Sequence, residues 1–396
     1  MVHHMLDILL VDDETNIHLL YTAELKSAIP NCSITSAYSG EEALEMMRRY
    51  TPDLILLDIR MTGMDGIEVL QRIKLINPFI PVFMVTAFDT YYDHIAVWNA
   101  DEYIVKSFNL SELVSKINFY CVNKTTPTNI FINAFPFPIA YNFTCIRSKI
   151  SSKEVLDYLL NLAEYIIRYL GCILIAQNMS SHPKQCVDLL SQYRNINMTM
   201  GKWCELLRKA FQLNNNPKSH FMPELISLLS SSEKDTPFQL FDKLITIRNE
   251  IHKRPYSERT SEVAFSSVKR IIRTLLDRCV FLKNYPLQIV ESAHPNGGKH
   301  MFIYFIKLLM GSHPEFVVIP MHESSVLPYR QVFITKANET MYLNLHPFIA
   351  FDVCQTTFKD DVFLFDRIGT NTLYKSSQQG HILTKDYDLL ADISHT

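Results

Sequence analysis

The chain has 396 residues, 47% of them apolar and 20% charged, a composition typical of a soluble globular protein and too long for one ordinary core. No apolar run reaches the roughly 18 residues that span a bilayer, and "MVHHMLDILLVDD" lacks the layout of a signal peptide, so a cytoplasmic protein without membrane contact is expected. The net charge of −3 hides a gradient: residues 1–121 carry 17 acidic against 8 basic side chains, whereas residues 240–285 carry 10 basic against 5 acidic. Eight cysteines without a C-x-x-C pair read as reduced, mostly buried thiols and speak against a zinc site.

In chain order, "DILLVDD", "SITSAYS", "DLILLDI", "PVFMVTA" and "EYIVKS" are five short apolar runs bounded by turn residues. Helical patterns such as "EEALEMMRRY" and "DGIEVLQRIKLI" lie between them, the second with Ile67, Leu70, Ile73 and Lys74 along one side. Strands alternating with helices predict a parallel α/β sheet with right-handed crossovers. The first, third and fourth runs are almost continuously apolar, as strands buried on both faces must be.

Functional groups in such a sheet collect beyond the carboxyl ends of the strands. Asp12 and Asp13 end the first run, Asp58 the third, Thr86 the fourth and Lys106 the fifth. Three carboxylates gathered at one rim repel one another, and a hard divalent cation such as Mg²⁺ resolves that repulsion. Asp58 can then serve as a nucleophile toward phosphorus, giving an aspartyl phosphate. Lys106 would neutralise charge on the phosphoryl oxygens and Thr86 would donate its hydroxyl.

The residues "VDDE" (11–14), "DIRMTGMDG" (58–66), "TA" (86–87) and "ADEYIVKSF" (100–108) resemble the receiver domain of bacterial two-component response regulators, over residues 5–121. The resemblance implies a flavodoxin-like sheet of strand order 2-1-3-4-5. It also implies Mg²⁺ on Asp12, Asp13 and Asp58, phosphoryl acceptance at Asp58, phosphoryl binding by Thr86 and Lys106, and Tyr103 as the aromatic that turns inward on activation. The implied partner is a sensor histidine kinase or a histidine phosphotransfer protein. Two positions depart from the family pattern. Ser107 stands where a proline in a cis peptide usually follows the lysine, and a cis bond before another residue costs ~2.5–4 kcal/mol; that loop is expected to differ or to carry strain. Thr62 stands where proline is common.

The stretch "NKTTPTNIFINAFPFPIAYN" breaks the rhythm with three prolines and reads as a linker over 123–150, with room for one short strand. The period is then helical, predicting an all-α bundle over 151–290. Within it, "LITIRNEIHKRPY" places Arg248 and His252 four apart on one helix face. A histidine acid or base beside a guanidinium could cleave RNA, and the local basic excess suits a phosphate backbone. The passage resembles the "RN…H" motif of HEPN domains, which are ribonucleases or non-catalytic partners, although three intervening residues fall short of the usual four to six. The structural alternative is a helix end before Pro255 whose cations suit the helix dipole.

From 291 to 396 short runs such as "EFVVIPM", "RQVFITK" and "DDVFLFDRI" predict a small β-rich domain. Three functions stay open: a response regulator switching a helical output module, the same switch gating a HEPN-type ribonuclease, and a DNA-binding transcriptional regulator. A second copy of the chain and RNA are candidate partners.

Overall fold

Strands β1 (Leu6–Val11), β3 (Leu54–Leu57) and β4 (Val82–Thr86) send adjacent side chains to opposite faces, and both faces are covered. The computed structural model describes residues 5–77, 80–87, 100–107, 110–123, 127–147, 152–232, 235–253, 258–295, 302–323, 325–336 and 341–390. The chain divides into two units, residues 1–130 with 147–152, and residues 131–146 with 153–396.

In the first unit, β2 (Cys32–Ala37) and β5 (Glu102–Val105) complete a five-stranded parallel sheet of order β2-β1-β3-β4-β5. Leu6, Ile8, Leu10, Leu54, Leu56, Phe83 and Val85 pack on one face with Tyr21 and Leu25 of α1 (Thr15–Ala28) and with Leu113 and Ile117 of α4 (Ser111–Asn123). Leu9, Val11, Ile55, Leu57, Val82 and Met84 pack on the other with α2 (Gly40–Met47) and α3 (Gly66–Ile76). Ser39 and Asp65 cap these last two helices, accepting the N–H of Glu42 and Glu68. Lys74, expected on the apolar side of α3, is buried there and meets Asp101 at 2.6 Å.

Helix α5 (Pro127–Asn133) is divided between the units after residue 130, and the second unit holds α6 (Phe137–Arg147) and α7 (Ser152–Ser181) apart from their terminal residues Arg147 and Ser152, then α8 (Pro183–Ser191), α9 (Met200–Leu213), α10 (Pro223–Leu229), α11 (Pro237–Lys253) and α12 (Glu258–Arg278). Among the described residues nine strands follow, β6 (Leu287–Pro295), β7 (Phe302–Leu308), β8 (Val318–Glu323), β9 (Val332–Thr335), β10 (Tyr342–Asn344), β11 (Ile349–Val353), β12 (Asp360–Arg367), β13 (Thr372–Ser376) and β14 (Ile382–Lys385). They form antiparallel sheets of order β10-β9-β6-β7-β8 and β11-β12-β13-β14.

Two expectations need correction. The supposed linker at 123–150 carries two helices rather than a strand, and Phe131, Phe135, Phe137, Ile139 and Phe143 are core residues. The expected border between an all-α and a β-rich domain at 290/291 falls inside β6. Helices and strands there share one core: on α7, Arg168 pairs with Asp366 at 2.7 Å and donates to the carbonyls of Phe365 and Met198, while Tyr165 donates to the Ser376 carbonyl. That helix is long and apolar enough to cross a membrane, but 94% of its apolar window is buried inside the protein, as in a core helix.

Candidate functional site

The backbone ladder continues one residue past the strands and delivers the site. The Asp58 N–H donates to the Val11 carbonyl at 2.9 Å, placing Asp58 beside Asp12 at the ends of neighbouring strands. The Lys106 N–H donates to the Thr86 carbonyl at 2.6 Å. Five side chains read from four strand ends therefore meet at one rim. Asp12, Asp13 and Asp58 each offer an oxygen, all within 4.8 Å of one another. Lys106 Nζ lies 2.7 Å from Asp12 Oδ2 and 3.0 Å from Asp58 Oδ2.

Asp58 is 5% exposed. Burial pushes its carboxyl above the usual carboxylate range and the Asp12 charge adds to that, against the pull of Lys106 and of the Ile59 N–H, which donates to Oδ1 at 2.8 Å. Burial opposes the charge on Lys106, but its hydrogen bonds and the charges of both aspartates outweigh it and hold the amine above its ordinary value. Thr86 is fully buried and its Oγ1 has no hydrogen-bond partner. A buried hydroxyl left unpaired costs about 1–3 kcal/mol, a cost that a phosphoryl oxygen could remove. An all-oxygen donor set with one side chain poised to donate suits a hard cation and a phosphoryl group together.

Other contacts hold this geometry. Gly66 opens α3 so close to Asp58 that a Cβ would sit 1.8 Å from the Asp58 carbonyl oxygen; no other residue fits. Thr62, at a departure from the family pattern, donates both its N–H (2.8 Å) and its hydroxyl (3.0 Å) to Asp13 Oδ2. A proline there could supply neither bond. Sequence reasoning missed His18. Its Nε2–H donates to the Asp12 carbonyl at 2.8 Å, leaving Nδ1 to accept from the Ser36 hydroxyl, also at 2.8 Å. Its ring also packs on Tyr38, with centroids 4.2 Å apart. Only its place on the inward side of α1 could have signalled this.

Tyr103 is half-buried and packs against the core face that α2 and α3 cover. Among the described residues the single cis peptide is His346–Pro347, so the Lys106–Ser107 bond is trans and the loop differs from the family pattern. In the second unit, Arg248 is half-buried on α11, and the His252 side chain lies outside the described residues.

Residues 8–118 match the family described as response regulator receiver domain. Among curated relatives, the probable transcriptional regulatory protein TcrX of Mycobacterium tuberculosis is 34% identical over 112 residues, 28% of this chain and 47% of that protein. The transcriptional regulatory protein ZraR of Escherichia coli K12 is 42% identical over 90 residues, 23% of this chain and 20% of that one. The matched part thus spans half or less of these relatives. Among solved structures, the response regulator protein TrrA of Thermotoga maritima in complex with Mg(2+)-BeF is 40% identical, covering 29% of this chain and 98% of that chain, with a TM-score of 0.28.

Proposed function

Residues 8–118 are a response regulator receiver domain, and from that premise we propose that this cytoplasmic chain is a phosphorylation-controlled switch in which Asp58 accepts a phosphoryl group. One observation carries the proposal: a buried carboxylate at 3.0 Å from Lys106, within 4.8 Å of two further aspartates, beside a buried threonine hydroxyl without a partner. Asp12, Asp13 and Asp58 would hold Mg²⁺, which supplies charge neutralisation for the phosphoryl oxygens. The remaining chemistry belongs to the chain. The Ile59 N–H holds Oδ1 of Asp58 and orients Oδ2 as the attacking atom. As the P–O bond to Asp58 forms, the bond to the donor breaks; a phosphohistidine of a sensor kinase or phosphotransfer protein is the donor this chemistry fits. Lys106 turns to a phosphoryl oxygen and Thr86 donates to another. Tyr103 then follows Thr86 inward, biasing a two-state equilibrium of the receiver surface.

The second unit is the proposed output module. Some relatives are named transcriptional regulators, but the match stops with the receiver, so that role is not carried over. The ribonuclease reading of Arg248 and His252 gains nothing from the match either.

Incubation of the whole chain with a small-molecule phosphodonor and Mg²⁺ tests the proposal. Intact mass is expected to show one phosphoryl adduct, absent in Asp58→Asn. No adduct, with a known receiver reacting in parallel, overturns it.

A further inference from the structure

The second unit brings a sulfur and an imidazole together where the sequence separates them by 27 residues. Cys354 lies one residue past β11. Its N–H donates to the Lys359 carbonyl and its own carbonyl accepts from Phe358, both at 2.8 Å, which closes the turn into β12. His381 precedes β14, and its carbonyl accepts from Ser376 at 2.8 Å. Strands β11 and β14 are the two outer strands of their sheet, yet Asp352 pairs with Lys385, and Cys354 Sγ lies 3.3 Å from His381 Nδ1. The sheet curls until its outer strands meet at this pair.

The setting differs from that of the other thiols. Burial pushes Cys172, Cys186 and Cys279 up to about 12 and Cys204 to about 11. Burial also works against ionisation of Cys354. There the hydroxyl and N–H of Thr357, the N–H of Thr356 and the His381 ring outweigh it and bring the thiol down to about 7. Asp352 and Lys385, the charged groups on the flanking strands, neutralise each other.

We propose that Cys354, in hydrogen-bond contact with His381 at 3.3 Å, is a modification site in the second unit that hydrogen peroxide oxidises. The reagent class follows from burial: Cys354 is 2% exposed, which shuts out a bulky substrate and leaves hydrogen peroxide, with two heavy atoms, as the thiol oxidant that asks least of access. The Cys354 thiol passes its proton to His381 Nδ1 as sulfur attacks one peroxide oxygen and the O–O bond breaks. Sulfur loses two electrons to become a sulfenic acid, the peroxide is reduced, and the departing hydroxide takes that proton back from Nδ1 and leaves as water.

Brief exposure of the whole chain to hydrogen peroxide, with dimedone trapping and peptide mapping, reads the rate at each thiol. Cys354 is expected to react at least about tenfold faster than Cys172 and Cys279. His381→Ala should cut that rate about tenfold without moving the other thiols or the thermal melt; if the melt moves, Thr357→Val should give the same selective loss. Cys354 reacting no faster than Cys172, or a rate unchanged in both variants, overturns the proposal.

Discussion

Two buried lysine–carboxylate groups in the first unit invite comparison. Around Lys74 the carboxylate is fully engaged: Nζ donates to Asp101 Oδ2 and to the Ile80 carbonyl, that same Oδ2 accepts the Val82 N–H at 2.9 Å, and Arg147 lies 3.6 Å from Oδ1. Burial pulls Lys74 down to about 8 against the pull of Asp101, so the amine stays mostly charged at neutral pH. Around Lys106 the sums do not close. Two carboxylates share one amine with a third within 4.8 Å, Asp58 is pushed up, and a threonine hydroxyl has nothing to bond. The first group is finished as it stands and ties α3 to the sheet. The second is left short of positive charge and long of a donor, which is how a site waiting for a cation and an anion should look.

The contrast breaks most visibly at the finished pair. Lys74→Met leaves the buried Asp101 carboxylate without its amine and is expected to cost about 3 kcal/mol, read as faster hydrogen exchange in β3 and β4; unchanged protection would mean the pair is not structural. At the open site the sign reverses. Because burial raises the Asp58 pKa, the penalty is absent below the ordinary carboxylate range and stability is lost as pH rises through the raised value. Metal-free Asp58→Asn should therefore be more stable than wild type at pH 7 by about 1.4 kcal/mol for each unit of displacement, and equal to it in acid. A gain independent of pH counts against this account. The smallest effect belongs to Thr86→Val, which removes a hydroxyl that bonds to nothing. Its metal-free melt should rise, by about 1 kcal/mol, while phosphoryl acceptance slows, and a loss of stability would give Thr86 a partner after all.

Much of the first unit was legible because strands buried on both faces announce themselves as unbroken apolar runs, and parallel topology then dictates where their ends meet. Lys74 shows the limit. The helical period placed it inward, but its partner Asp101 is 27 residues away, and no local pattern links them. Thr62 stood out as a departure, yet its grip on Asp13 needed coordinates. The stretch 123–150 misled for a definite reason: Pro127 and Pro138 sit in the first turns of α5 and α6, where a missing N–H costs nothing. The prolines were read as punctuation between domains, while the phenylalanines around them were core. Likewise the β-like runs after 290 gave no hint that they share a core with α7, since Arg168 and Asp366 are 198 positions apart in the chain.

Gly66 has a mechanical consequence. Helix α3 starts pressed against the Asp58 backbone, with the carbonyl oxygen 1.8 Å from where a Cβ would be. That arrangement acts as an anvil: under the proposed phosphorylation, a bulky dianion on the side chain would find no relief rearward. The load would fall forward, on the ends of β4 and β5 that carry Thr86 and Lys106.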